Sequence, residues 1–311
     1  MQRFKNILFL ADGSEGQETV LERAAKLAHA NEAKLTLFDT VETSEFVPPE
    51  EFLAETVKGL REALIRDRRE DLDVLRKTLV ERYPSLNVAV VIEKGNKARG
   101  TIRAVLSGEH DLLIKAPQRG SAKLGMLFGS TDRKLMRKCP CPVWIVKPDK
   151  SSFQKILAAV EINPNELEAA SIAKQIMELS TSLAASEGSE LHVLHAWDLV
   201  GEVKLRSGHI NIADVEKLVT RMEAAHQKGL DRLVKEHPYD RTHVHLVRGD
   251  AGDVVVDFAE EQQIDLVVIG TVGRTGIPGL FIGNTAEEVL SSVQCSVLTL
   301  KPEGFKTPIE A

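Results

Sequence analysis

Three cysteines in 311 residues are too few, and odd in number, to make a disulfide framework. Long apolar runs are missing too: no stretch approaches the roughly 18 consecutive apolar residues of a membrane-spanning helix. The first residues, "MQRFKNILFLADGSE", have neither the apolar length nor the small-residue cleavage site of a secretion signal. Positive charge is not in excess, with 40 Lys and Arg against 46 Asp and Glu and a net charge of −6, which argues against a nucleic-acid partner. The expected setting is the cytoplasm, with no membrane and no nucleic acid. Catalytic signatures are equally scarce. The chain contains no GxSxG elbow, no CxxC pair and no cysteine or serine with an evident base, so no catalytic residue is assigned and no enzyme is expected.

What is present is an ordinary globular composition, 43% apolar and 28% charged, over a length that suits two domains of about 150 residues each. An internal repeat confirms that division. Gly129–Pro148 and Gly283–Pro302 align without a gap, with six of twenty positions identical, among them Cys141 with Cys295. The same offset of 154 relates Gly95 to Gly249 and Asp111-Leu112 to Asp265-Leu266. The chain is a tandem duplication with domains at 1–150 and 151–311 (joint near Asp149 to Ser152).

Each copy alternates short apolar runs with helical stripes. In the second, "KILAAVE", "ELHVLHAW", "THVHLVRG", "DLVVIG" and "SVLTLK" read as strands. Ala169, Ile172, Ala173 and Ile176 fall at i, i+3, i+4 and i+7 of a helix. A helix over 212–236, another in "DVVVDFAEEQ" and a last one through Ala286, Val289, Leu290 and Val293 fill the intervals. The first copy follows the same order, with a longer charged helical region from about Pro49 to Arg82. Strict alternation predicts an α/β fold of two tandem doubly wound parallel five-stranded sheets, with ligand sites at the carboxyl ends of strands.

The fourth strand of the second copy runs straight into "GTVGRTGIPGLFIGNTAEEV", with glycines at 270, 273, 276, 279 and 283, and then into a helix. Free N–H groups and the dipole at a helix start favour an anion. Glycine permits positive φ and lets a phosphate approach bare backbone. Thr271, Asn284 and Thr285 offer side-chain donors, and Arg274 offers charge. The loop is neither a P-loop, since no Gly-Lys-Ser/Thr follows, nor the dinucleotide fingerprint, whose spacing differs.

The spacing Gly270-x2-Gly273-x9-Gly283, closing a five-strand α/β unit, resembles the nucleotide signature of the universal stress protein family, in its tandem-domain type. The resemblance spans both halves and implies an adenine nucleotide alpha hydrolase-like fold and a role in the stress response. It implies ATP or a related adenine nucleotide, with Mg2+ as an accompanying ion. Gly270, Gly273, Gly283, Asn284 and Thr285 then hold phosphate and ribose, while Val160, Glu161 and Ala196 flank the base. It also implies a monomeric pseudo-dimer built through the fifth strands, or a homodimer, with a protein partner as a further possibility. Two residues depart from the family pattern: Glu161 stands where Asp is usual, and Asn284 where a hydroxyl is usual.

The first copy keeps Asp12 and Gly129-Ser130 but has Ala116 and Arg119 at the positions of Gly270 and Gly273. Alanine at a position requiring positive φ is strained, and Arg119 fills phosphate space, so the first site is read as degenerate. Lys115, Arg119 and Lys123 remain as side chains that attract an anion.

Other constellations read as structural. His243 and His245 share a strand face, while His192 and His195 point to opposite faces, so all four do not converge. A zinc site from three of them is conceivable, but ordinary exposed or core histidines on an edge strand are the preferred reading, and no metal site is assigned. His226 and His237 fall in a helix and at its exit, where exposure is the simple expectation. Cys139 and Cys141 read as packing residues. The function expected is a stress-response nucleotide sensor without fast turnover. Its alternatives are a binding module for an apolar or phosphorylated metabolite, a weak ATPase, and a pure interaction protein.

Overall fold

The computed structural model describes residues 4–42, 54–118, 127–149, 152–164, 170–199, 212–271 and 283–310. These fall into two compact units, one from 4–149 with 305–310, the other from 152–304. The first unit runs β1 (Asn6–Leu10), α1 (Gln17–Asn31), β2 (Lys34–Val41), α2 (Ala54–Arg82), β3 (Val88–Lys94), α3 (Lys97–Ser107), β4 (Leu112–Lys115), α4 (Ser130–Lys138) and β5 (Val143–Ile145). The second repeats this as β6 (Lys155–Ala159), α5 (Ser171–Glu187), β7 (Glu190–Trp197), α6 (Ile212–Glu236), β8 (Thr242–Arg248), α7 (Ala251–Glu261), β9 (Leu266–Gly270), α8 (Asn284–Ser292) and β10 (Ser296–Leu300).

Within the first unit the strand order is β3-β2-β1-β4-β5, and within the second β8-β7-β6-β9-β10. Every pairing inside a unit is parallel, as the alternating sequence demands. Central strands covered on both faces need continuous apolar runs rather than alternation. Ile7, Leu8, Phe9 and Leu10 of β1, and Leu266, Val267 and Val268 of β9, accordingly show no exposure. Each such side chain contributes roughly 1.5–3 kcal/mol of burial.

The duplication extends to hydrogen bonds. Asp111 takes the backbone N–H of Lys5 and Asn6 at 2.6 and 3.1 Å. Its counterpart Asp265 takes those of Gln154 and Lys155 at 2.6 and 3.0 Å. In both units one carboxylate therefore pins the entry of the first strand to the strand beside it. Gly95 and Gly249, at equivalent exits from β3 and β8, both have positive φ (125° and 155°). Among the described residues no helix is long and apolar enough to cross a membrane.

Candidate functional site

Each sheet reverses its winding beside its first strand: β1 lies between β2 and β4, and β6 between β7 and β9. Doubly wound sheets hold ligands in the crevice at that point, outside the carboxyl ends of the strands. In the second unit Val160 and Glu161 follow β6, Gly270 and Thr271 end and follow β9, and Ala196 lies near the end of β7. Ala159 pairs with Ile269 and with Leu194, so all five positions meet along one edge. Val160 is buried, Ala196 half-buried and Glu161 exposed. The N–H of Gly283 donates to the Thr271 carbonyl at 2.9 Å, which brings the start of α8 to the same edge. Asn284 and Thr285 begin that helix, exposed and half-buried. Gly273 and Arg274 lie outside the described residues.

Two expectations are corrected. Gly270 is not among the residues with positive φ, and neither is Ala116, so alanine in the first unit is unstrained. Glycine stands at 270 for another reason: a Cβ there would lie 3.0 Å from Ile172 Cγ1 of α5. Aligning α1 and α5 through their left-handed C-caps, Glu32 and Gly188, places Ile172 at the position of Gly16. The second unit thus has a bulky helix residue with glycine on the strand, where the first has Gly16 with Ala116. Close packing against α5, rather than a positive φ, accounts for glycine at this position. Thr271 is also not a free donor. It is fully buried, its hydroxyl donates to the Leu300 carbonyl at 3.3 Å, and it accepts from Lys301 Nζ.

The crevice of the first unit is filled by its own side chains. Lys115, at the end of β4, places Nζ 2.5 Å from Asp132 Oδ1 and 3.4 Å from Asp12 Oδ2, with all three side chains buried. Asp132, third residue of α4, also accepts the N–H groups of Gly129 (3.0 Å) and Gln118 (2.8 Å). A carboxylate supplied by the chain therefore takes the anion position at this helix start. Burial pushes the Asp132 carboxyl above the usual range, against the opposing pull of Lys115 and the two N–H groups. Lys115 is consequently unavailable to an outside anion, contrary to the sequence expectation. Arg119 and Lys123 lie outside the described residues. At the corresponding places the second unit has Glu161, Ile269 and Ala286. The start of α8 has no side-chain cap, and its first N–H groups lack intrahelical partners.

The second-strand ends differ between units as well. In the first, Arg68 of α2 bonds Asp39 (2.7 Å) and the Ala11 carbonyl. In the second, His195 Nδ1 lies 3.1 Å from the Val160 carbonyl, and His195 Nε2 lies 2.8 Å from His226 Nδ1. His226 stacks on Trp197 with ring centroids 5.3 Å apart. It is 7% exposed, so the expectation of a solvent-exposed His226 is wrong. Sequence periodicity could have found it, because His226 lies four residues before Leu230 and seven before Leu233, both buried.

On the other sheet face, His192, His243 and His245 gather beside Phe258, since His192 pairs in register with His243. Burial, reinforced by the neighbouring imidazoles, lowers His192 to about 4 and also lowers His245. A histidine depressed below its ordinary value favours the native state above that value, and the advantage is lost as the pH falls. The second unit should therefore lose roughly 2–3 kcal/mol between the ordinary histidine value of 6.5 and about 4. Urea unfolding across that range checks this, and His192→Leu should flatten the dependence.

The sequence profile of the universal stress protein family matches residues 3–147 and again 152–301. Among curated relatives, Universal stress protein E of Photorhabdus laumondii is 27% identical, covering 100% of this chain and 99% of its own. Universal stress protein E of Escherichia coli K12 is 28% identical, covering 100% and 98%. Solved structures share the fold over the whole length. A functionally unknown protein from Pseudomonas aeruginosa PAO1 has a TM-score of 0.70 at 24% identity, covering 98% of this chain and 95% of that one. A universal stress protein from Archaeoglobus fulgidus has a TM-score of 0.60 at 16% identity, covering 97% and 98%. With its two sheets of one order, its duplicated strand anchors and a profile match to each half, this chain belongs to the universal stress protein family and carries two of its domains in tandem.

Proposed function

We propose that the second unit binds ATP or a related adenine nucleotide at the carboxyl edge of β6 and β9, and that the protein acts in the cytoplasm as a stress-response sensor or regulator without fast turnover. One observation carries this reading. Where the first unit fills its crevice with Asp132, the second has the methyl group of Ala286 at the start of an uncapped helix. Helix-start N–H groups and the dipole suit a phosphate. Gly283, Asn284 and Thr285 are the residues that would hold it, and Val160 and Ala196 offer apolar surface to a base. Exposed Glu161 is the carboxylate that would meet a nucleotide-bound Mg2+. The first unit, closed by its own ion triad, serves a structural or partner-binding role.

Calorimetric titration with ATP tests the proposal: binding by the native chain and its loss in Gly273→Arg are expected. No binding by the native chain, or undiminished binding by the variant, overturns it. A different ligand is favoured by the inward-turned Thr271 hydroxyl and by Glu161. Native mass spectrometry of the purified protein would then show a retained phosphorylated or apolar metabolite in place of a nucleotide.

A further inference from the structure

Apart from the nucleotide crevice, β7 and the neighbouring edge strand β8 bring two imidazole nitrogens face to face. His192 Nδ1 and His245 Nε2 are 3.2 Å apart, with ring planes inclined by only 11°. Two imidazole nitrogens on one tetrahedral zinc, each about 2.0–2.1 Å from the ion, stand about 3.3–3.4 Å apart. The nitrogens thus already have the separation a metal requires, with a single proton between them. We propose that His192 and His245 bind a divalent transition metal of the zinc type, which ties β8 to β7.

A second observation points the same way. His192 Nε2 is buried without a hydrogen-bond partner, and it lies 3.8 Å from Glu190 Oε2. The other Glu190 oxygen is 3.6 Å from Arg241, which leaves Oε2 facing the ring. Metal on Nδ1 fixes the remaining proton on Nε2, where it points at that carboxylate. Histidine ligands of metals regularly have this outer carboxylate, which orients the ring and raises its basicity. Neutral imidazole suits zinc, copper and nickel rather than magnesium or calcium. Among the described residues only Asp250, Asp253 and Glu288 present three ligand atoms within 4.8 Å of one another. The histidine site is therefore a two-residue chelate completed by water, with the ring of His243 stacked alongside at 5.0 Å.

The test is titration of the untagged, full-length chain with Zn2+ at pH 7.5, followed by calorimetry and thermal unfolding. One zinc per chain is expected, with a rise in the unfolding temperature. Both effects should disappear in His245→Ala and His192→Ala, and the affinity should fall about tenfold in Glu190→Gln. His245 is half-buried on an edge strand, so His245→Ala keeps the test valid if His192→Ala fails to fold. Asp253→Asn should leave zinc uptake unchanged. The proposal is overturned if the native chain takes up no zinc, if uptake survives His245→Ala, or if uptake is lost in Asp253→Asn.

Discussion

A Lys115→Met variant should lose about 3–5 kcal/mol of stability in the first unit, the penalty for stranding a buried charge without its partner. In native protein the Lys115 ammonium lies 2.5 Å from Asp132 and 3.4 Å from Asp12, with no exposure of the lysine side chain. Methionine keeps most of the apolar stem and its packing, so the loss reports the charge. For a unit of this size the shift in melting temperature is roughly 6–20 °C. The pH dependence supplies the signature. Burial raises Asp132 above its ordinary value, so folding favours its protonated form. Stability from that source is present in acid and lost as the pH rises through the raised value. Removing Lys115 removes the main opposition to this rise, so the variant's deficit is largest at neutral pH and narrows in acid. The triple variant Asp12→Asn, Lys115→Met, Asp132→Asn should recover much of the loss, because no buried charge is left unmatched. Thermal unfolding at pH 7 and pH 4.5 distinguishes the cases. A deficit in Lys115→Met below about 1 kcal/mol at neutral pH would show that the triad is not a coupled ion cluster.

The triad also shows where sequence reading stops. Element order was legible because parallel strands buried on both faces require unbroken apolar runs, as in the stretch Leu266–Gly270, and because the second copy repeats the first. Even the helix over Ile212–Glu236 announces itself by its periodicity. The departure of the first copy at Ala116 and Arg119 was legible, but the reason inferred for Ala116 was wrong. Backbone φ at 116 and 270 is ordinary, and the glycine answers to Ile172, a contact between residues far apart in sequence. Lys115 reads as one basic residue among several. Only the register Ile114 with Phe9 and Trp144 and the turn into α4 bring it to Asp12 and Asp132. His226 is similar: its spacing to Leu230 and Leu233 marks the buried face of the helix, but not that it closes against His195 and Trp197. Pairings across elements were hidden because local periodicity fixes which face a residue occupies, not which partner it meets.

If the contrast between the two crevices governs ligand binding, the closed state should be transferable. Ala286 is 2% exposed at the third position of α8, where the first unit has Asp132. An Ala286→Asp substitution would direct a carboxylate at the start of α8, where it would compete with the Thr271 carbonyl for the Gly283 N–H, as Asp132 takes the N–H of Gly129 in the first unit. By itself that carboxylate would be buried and unpaired, so the informative variant adds Ile269→Lys, at the position corresponding to Lys115. The ammonium would then stand between the new carboxylate and Glu161, the counterpart of Asp12. The double variant is expected to fold, as judged by circular dichroism, and to weaken ATP binding at least tenfold, or about 1.4 kcal/mol, because an internal anion competes with phosphate at effectively permanent occupancy. Ile269→Lys alone should act in the opposite sense or leave affinity unchanged, since it adds a cation beside the phosphate position. That difference in sign separates anion competition from simple crowding of the crevice. Equal ATP affinity in the folded double variant and the native chain would mean that the phosphate does not bind at the start of α8, and the nucleotide would have to be sought at another edge of the unit.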